Sequence, residues 1–184
     1  MKIHFIAIGG SIMHSLAIEL KKNGHLITGS DDVIHEPSKS NLIKNNLFPD
    51  KEGWSIKNIN SDLDLVILGM HAKKNNPELL ESKKRNIPII SYPEFIFNYS
   101  KKKKRIVICG SHGKTTITSI IIHVLYKNNI KTDYLVGAKI DTLDQQVKLE
   151  NNNSIIIEGD EYFSSAINNT PKFMHYNPNI IVVS

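Results

Sequence analysis

Twice in this sequence an apolar run enters glycine and then an amphipathic segment, and that repetition constrains the fold more than any other feature. The first instance is "IHFIAIGGSIMHSLAIELKKNG", from Ile3; the second is "RIVICGSHGKTTITSIIIHVL", Arg105 to Leu125. A strand that feeds a helix through a tight glycine turn is the opening of a parallel crossover unit. Two such units, roughly a hundred residues apart, predict two domains of nucleotide-binding style. The stretches between them agree. "LITGS", "LDLVILG" and "IPII" read as strands, Pro37-Ser38 opens a short helix, and Asn76-Pro77-Glu78 begins another with proline at a favoured first position. "YPEFIFNYS" reads as a short helix. In the helix after Gly9-Gly10, Ile12, Leu16 and Leu20 share a face, Ser11 or a neighbour is the expected cap, and Gly24 the expected stop. Further on, "RIVIC", "TDYLVG", "SIIIEGDE" and "NIIVVS" read as strands.

The fold class expected is therefore α/β. A Rossmann-like parallel-sheet domain should occupy residues 1–102, and a P-loop α/β domain should begin at residue 103. The last strand, ending at Ser184, has no loop behind it, so the second domain is expected to be incomplete over residues 103–184.

Composition narrows the classes of function. Hydrophobic residues make up 40% and charged residues 22%, as in a globular protein. No apolar run approaches the length needed to span a bilayer, and the N-terminus enters a glycine turn too early for a signal peptide. Cys109 is the only cysteine, which excludes an internal disulfide and suits a reducing cytoplasm. The net charge is +5, densest at Lys101-Lys102-Lys103-Lys104-Arg105. No aromatic residue interleaves with that run, as a single-strand-binding surface would require, so solvated charge beside a strand is expected there rather than a nucleic-acid site.

Gly110-Ser111-His112-Gly113-Lys114-Thr115-Thr116 carries the strongest chemistry. Its glycines let backbone N–H groups turn toward a phosphate, and the following helix adds its positive N-terminal end. Lys114 would bridge the β- and γ-phosphates, and the Thr115 hydroxyl, with Thr116 beside it, would hold Mg²⁺. The loop is shorter than the usual G-x-x-x-x-G-K-T pattern. "IIIEGDEYFSS" supplies the expected partner, because three isoleucines place Glu158 at the C-terminal end of a strand, where a carboxylate can reach the metal. Asp160 and Glu161 follow at once, and three carboxylates so close repel one another unless cations offset them.

The first turn is less specific. Gly9 and Gly10 precede a helix N-terminus and Asp31 lies about twenty residues on, which suits a nucleotide diphosphate, but two of the three fingerprint glycines are missing. A structural turn is equally open at this point. His4, His14, His25, His35 and His175 form no metal-ligand spacing, and His112 lies inside the loop without support for a general-base role.

"IGGSIM…GSD", "GSHGKTT" and "EGDEY", in that order, resemble the Mur ligases, the ATP-dependent amide-forming enzymes of bacterial cell-wall synthesis. Their phosphate loop has the short G-x-x-G-K-T/S form. The resemblance covers essentially the whole chain and implies a first domain for a UDP-sugar and a central domain for MgATP. By position it implies that Lys114 and Thr115 belong to the ATP loop, that Glu158 shares the metal with Thr115, and that Gly9, Gly10, Ser11 and Asp31 fall in the UDP-sugar region. Ile12 stands where one branch has glycine, which leaves the local UDP contact open. "GMHAKKNNPEL", "SYPEF", "GDEYFSS" and "PKFMHY" are most similar to the murein peptide ligase branch, which joins UDP-N-acetylmuramate to L-alanyl-γ-D-glutamyl-meso-diaminopimelate through an acyl phosphate. The branch that adds L-alanine to the same acceptor is the alternative. The family's central domain continues with an Asp-His segment for a second metal, and a third domain follows. Without them the 184-residue chain is expected not to ligate, and a non-catalytic UDP-sugar-binding remnant stays open as a further reading.

Overall fold

The computed structural model describes residues 1–140, 143, 145–165 and 167–184. They pack as two compact units, one of residues 1–92 with 163–169 and one of residues 93–162 with 170–184.

In the first unit, β1 (Lys2–Ile6), α1 (Ser11–Lys22), β2 (Leu26–Ser30), α2 (Ser38–Lys44), β3 (Leu65–Leu68), α3 (Pro77–Lys84) and β4 (Ile89–Ser91) follow one another, and α4 (Tyr92–Ser100) leads out of it. The sheet order is β2-β1-β3-β4 with every pairing parallel. Central parallel strands are covered on both faces, so β3 is four buried apolar residues in succession, Leu65 to Leu68. Ile6, Val66, Leu68, Leu79 and Ile87 form one continuous core, each large side chain contributing about 1.5–3 kcal/mol by burial. Ile6 pairs with both Ser30 and Leu68, so the three strands end level and the turns after them share one edge.

One expectation needs correction here. The apolar run from Ile3 to Ile8 reads as one strand, but β1 ends at Ile6, because Ala7 takes a left-handed φ of 69° and starts the turn. Of Ser11 and its neighbours, the cap of α1 is Gly10, with no side-chain hydrogen bond; Ser11 is the first helical residue and is exposed. Residues Met13 to Leu20 are all buried, so the helix is packed on more than one side, while Ile12 is only half-buried. Gly24, at φ 84°, ends it as expected.

Burying polar groups in this unit obliges them to pair. His14 places Nδ1 3.0 Å from the Gly10 carbonyl and 3.0 Å from Ser38 Oγ, with Nε2 3.2 Å from Asn41 Nδ2. A carbonyl only accepts, so Nδ1 carries the proton and Nε2 accepts from Asn41. Burial pushes the imidazole pKa down, with the Gly10 carbonyl opposing. Glu78, fully buried at the start of α3, accepts from Ser55 N–H at 2.9 Å and Asn58 Nδ2 at 2.8 Å, and from the Ser30 hydroxyl, with His4 Nε2 3.4 Å away. Burial works to raise the Glu78 carboxyl, but these donors outweigh it and hold it below its usual value. His4 is thus a structural histidine.

The second unit contains β5 (Lys104–Cys109), α5 (Lys114–Lys127), β6 (Asp133–Leu135), β7 (Val147–Lys148) and β8 (Ser154–Glu158). After β9 (Phe163–Ser165) and β10 (Asn168–Pro171), which pair only with each other among the described residues, come α6 (Lys172–His175) and β11 (Ile180–Val183). The five-stranded sheet runs β11-β5-β8-β6-β7 and is parallel except for the short β6–β7 pairing. Ile155, Ile156 and Ile157 are completely buried.

The basic run is solvated only in part, at the exposed Lys101, Lys102 and Lys104. Lys103 and Arg105 are buried. Arg105 Nη1 donates to the carbonyls of Ser100 at 2.7 Å and Lys101 at 3.2 Å, and its Nε donates to that of Asn177 at 2.9 Å. It therefore caps the negative C-terminal end of α4. Lys103 pairs with the fully buried Asp133 at 3.0 Å, which also accepts from Tyr99 Oη at 2.8 Å and Asn152 Nδ2 at 2.9 Å. Tertiary partners as far as 72 residues away claim these two cations.

Candidate functional site

The Gly110–Thr116 segment connects β5 to α5 at the C-terminal edge of the parallel sheet. Gly113 is the N-cap of α5 in a left-handed conformation, φ 76°, which glycine adopts without the steric cost a Cβ brings. Lys114 opens the helix. Its Nζ donates to the Gly110 carbonyl at 2.7 Å and lies 3.3 Å from Glu161 Oε2. Ser111 and His112 are exposed, the imidazole Nδ1 lying 3.2 Å from Ser111 Oγ, and among the described residues no bond directs it toward an acid. Thr116 is exposed.

β8 lies beside β5 with Ile108 opposite Glu158, so the carboxylate emerges next to the loop. Thr115 Oγ1 donates to Glu158 Oε1 at 2.8 Å, and the Gly137 N–H donates to Oε2 at 2.9 Å. A hydroxyl and a carboxylate are the hard oxygen donors that Mg²⁺ takes, together with phosphate oxygens and water. The residues present fit that ion as a two-point protein anchor. Among the described residues no group of three or more His, Cys, Asp or Glu side chains converges as a metal cage.

The three neighbouring carboxylates do not share one role. Asp160 accepts from Lys172 Nζ at 2.8 Å and from the Tyr162 N–H at 3.0 Å, which ties the acidic turn to α6. Glu161 faces Lys114. Each carboxylate is offset by its own donors, which answers the repulsion that "EGDE" poses. Lys172, lying eleven residues past that stretch, was not legible as its partner.

In the first unit the structure brings Gly9 and Asp31 together, the Gly9 N–H donating to Asp31 Oδ2 at 2.8 Å. A Cβ at Gly9 would come within 2.9 Å of that oxygen and 3.2 Å of Ile34. Burial raises the Asp31 carboxyl pKa to about 6 despite the Gly9 N–H, which works to lower it. Gly10 caps α1, and Ser11 stands exposed beside it. Lys73, in the turn after β3, lies close enough to Asp32 to help hold its carboxyl below the usual range, after the larger effects of the Val33 N–H and Asp31. Sequence reading passed over that cation, since "AKKNN" looks like any polar turn. A recess of about 900 Å³ in this unit, lined by His4, Thr28, Trp54 and Lys57 among others, includes none of Gly9, Gly10, Ser11 and Asp31. No helix among the described residues is long and apolar enough to cross a membrane.

Known proteins resemble this chain in sequence and in fold. The model of the Mur ligase family, catalytic domain, matches residues 2–104, which covers the first sheet and stops short of the phosphate loop. The UDP-N-acetylmuramate–L-alanine ligase of Dictyoglomus turgidum is 35% identical over 170 residues, 92% of this chain and 36% of that protein. A solved UDP-N-acetylmuramate:L-alanyl-γ-D-glutamyl-meso-diaminopimelate ligase from Neisseria meningitides superposes with a TM-score of 0.88 at 25% identity, covering 99% of this chain and 59% of that one. The UDP-N-acetylmuramate–alanine ligase of Thermotoga maritima gives 0.82 at 28% identity, with 100% and 41% covered. The chain spans little more than a third of the length of the curated relatives it matches. Sequence order, sheet topology and the family model agree over most of its length: this chain belongs to the Mur ligase family.

Proposed function

We propose that these residues are the acceptor-binding and ATP-cradling portion of an ATP-dependent amide ligase that acts on UDP-N-acetylmuramate in the cytoplasm. The observation that carries this reading is the 2.8 Å contact between Thr115, in the first turn of α5, and Glu158, at the end of β8 beside β5, with Lys114 one residue away. Lys114 would take up the β- and γ-phosphates. Thr115 and Glu158 would hold the divalent cation, whose charge offsets that of the transferring phosphoryl group. The exposed N-terminal end of α5 would add donors, and the turn of Gly9, Gly10, Ser11 and Asp31 would receive the UDP-sugar. In the reaction the acceptor carboxylate oxygen attacks the γ-phosphorus and ADP leaves. The amine nitrogen then attacks the acyl carbon, phosphate leaves, and the nitrogen gives up a proton. Both steps depend on reactants held together away from water, so the 184-residue chain should bind ligands without completing the reaction.

For the amine, the murein-peptide-like stretches favour the tripeptide L-alanyl-γ-D-glutamyl-meso-diaminopimelate, and the Neisseria structure supports that choice. The curated relatives favour L-alanine as the second reading. Offering both amines at once to the full-length gene product, with UDP-N-acetylmuramate and MgATP, decides between them by the ratio of their specificity constants. Absence of ADP formation with either amine would sink the ligase assignment itself.

A further inference from the structure

Glu161 has no task in the site described above, yet it is the carboxylate nearest the Lys114 ammonium. We propose that Glu161 is a competing partner of Lys114, so that phosphate capture exchanges one oxyanion for another on the same ammonium. The proposal rests on the ATP-binding reading of the loop.

Three observations carry it. The Lys114 side chain is only 16% exposed, and its Nζ sits between the Gly110 carbonyl at 2.7 Å and Glu161 Oε2 at 3.3 Å. The ammonium thus has one neutral partner inside the loop and one charged partner outside it. Glu161 is 57% exposed and, among the described residues, makes no other hydrogen bond. It can swing into water at small cost, since an exposed ion pair contributes little to stability. Finally, its neighbour Asp160 is engaged by Lys172 and by the Tyr162 N–H, which orients the turn and leaves Glu161 as the movable acid. A phosphate oxygen competes for the same ammonium with more charge and in better geometry. Glu161 therefore competes with the nucleotide for the lysine and is released when the nucleotide enters.

The test titrates ATP, ADP and AMP, each with Mg²⁺, into the parent chain and into Glu161→Gln and Glu161→Asp. Without the competing carboxylate, ATP and ADP should bind about three- to tenfold more tightly at low salt, the gain shrinking as ionic strength rises. AMP, which lacks the phosphates Lys114 meets, should be unaffected. Glu161→Asp keeps the charge but withdraws it by one methylene from a contact already at 3.3 Å, so it should behave like the glutamine variant. If the aspartate variant matches the parent, or AMP gains as much as ATP, the effect is a general field and the inference fails. Weaker ATP binding in Glu161→Gln also overturns it, by making Glu161 part of the nucleotide site. If the parent itself binds neither ATP nor ADP, the nucleotide reading falls first.

Discussion

The turn after β1 and the turn after β5 share a plan but place opposite charges at the helix they open. In the first, the Gly9 N–H at the entrance to α1 is already taken by the Asp31 carboxylate. In the second, the entrance to α5 carries Lys114 and no carboxylate bonded to the loop backbone among the described residues. A helix N-terminus attracts anions in either case. Where the protein supplies its own anion, the ligand is better served by hydroxyl groups that the carboxylate can accept. Where it supplies a cation, the ligand is better served by phosphate. On the proposed function the first turn meets the ribose or sugar hydroxyls and the second the triphosphate.

The sharpest way to break that contrast is to remove the cation. Lys114→Ala should lower MgATP affinity by about a hundredfold while UDP-N-acetylmuramate affinity, measured by calorimetry, stays where it was. Equal losses for both ligands would mean that the two turns are not separate sites. Next in size, Glu158→Gln retains the shape and the Thr115 contact but removes the charge. The Mg²⁺ concentration needed for half-maximal nucleotide binding should rise about tenfold; an overlaying titration would place the metal elsewhere.

Glycine substitutions probe the backbone of each turn. Gly9→Ala drives a Cβ to 2.9 Å from Asp31 Oδ2 and should cost about 1–3 kcal/mol in denaturant unfolding. Gly113→Ala meets nothing within 4 Å, so only its positive φ is penalised, at about 1 kcal/mol. If the second cost exceeded the first, crowding around Asp31 would not be what demands glycine.

A further effect is in pH. The Asp31 carboxyl is raised from 3.8 to about 6, chiefly by burial. A carboxyl raised in the folded state supports folding while protonated; that support is complete below 3.8 and is lost as pH climbs through about 6. Asp31→Asn, whose amide oxygen can still accept from Gly9, escapes the loss. Its stability relative to the parent should therefore improve by about 1–2 kcal/mol between pH 4 and pH 7. A flat difference across that range would show that the carboxylate is not paying for its burial.

The strands of both sheets were legible because parallel strands covered on both faces are written as apolar runs, "LVIL" and "III" being the plainest. The phosphate loop and Glu158 were legible because they sit where such runs stop. What escaped was set by partners distant in sequence. Val147–Lys148 is too short to declare itself a strand and exists through its pairing with Leu135 and Tyr134. Lys103 and Arg105 read as surface charge because the acid and the carbonyls that bury them come from Asp133 and Asn177. Ala7 as a left-handed residue was equally hidden, since a β-strand run gives no warning of it.

The register between β5 and β8 carries a consequence of its own. Ile108 opposite Glu158 means that the spacing between the lysine's loop and the acid is measured by the backbone ladder, in steps of one residue. Such a gauge has no intermediate settings. Side chains around the loop can drift without moving it, whereas a single inserted or deleted residue in "SIIIEG" turns Glu158 to the opposite face of the sheet. Length, more than composition, is what this segment has to keep.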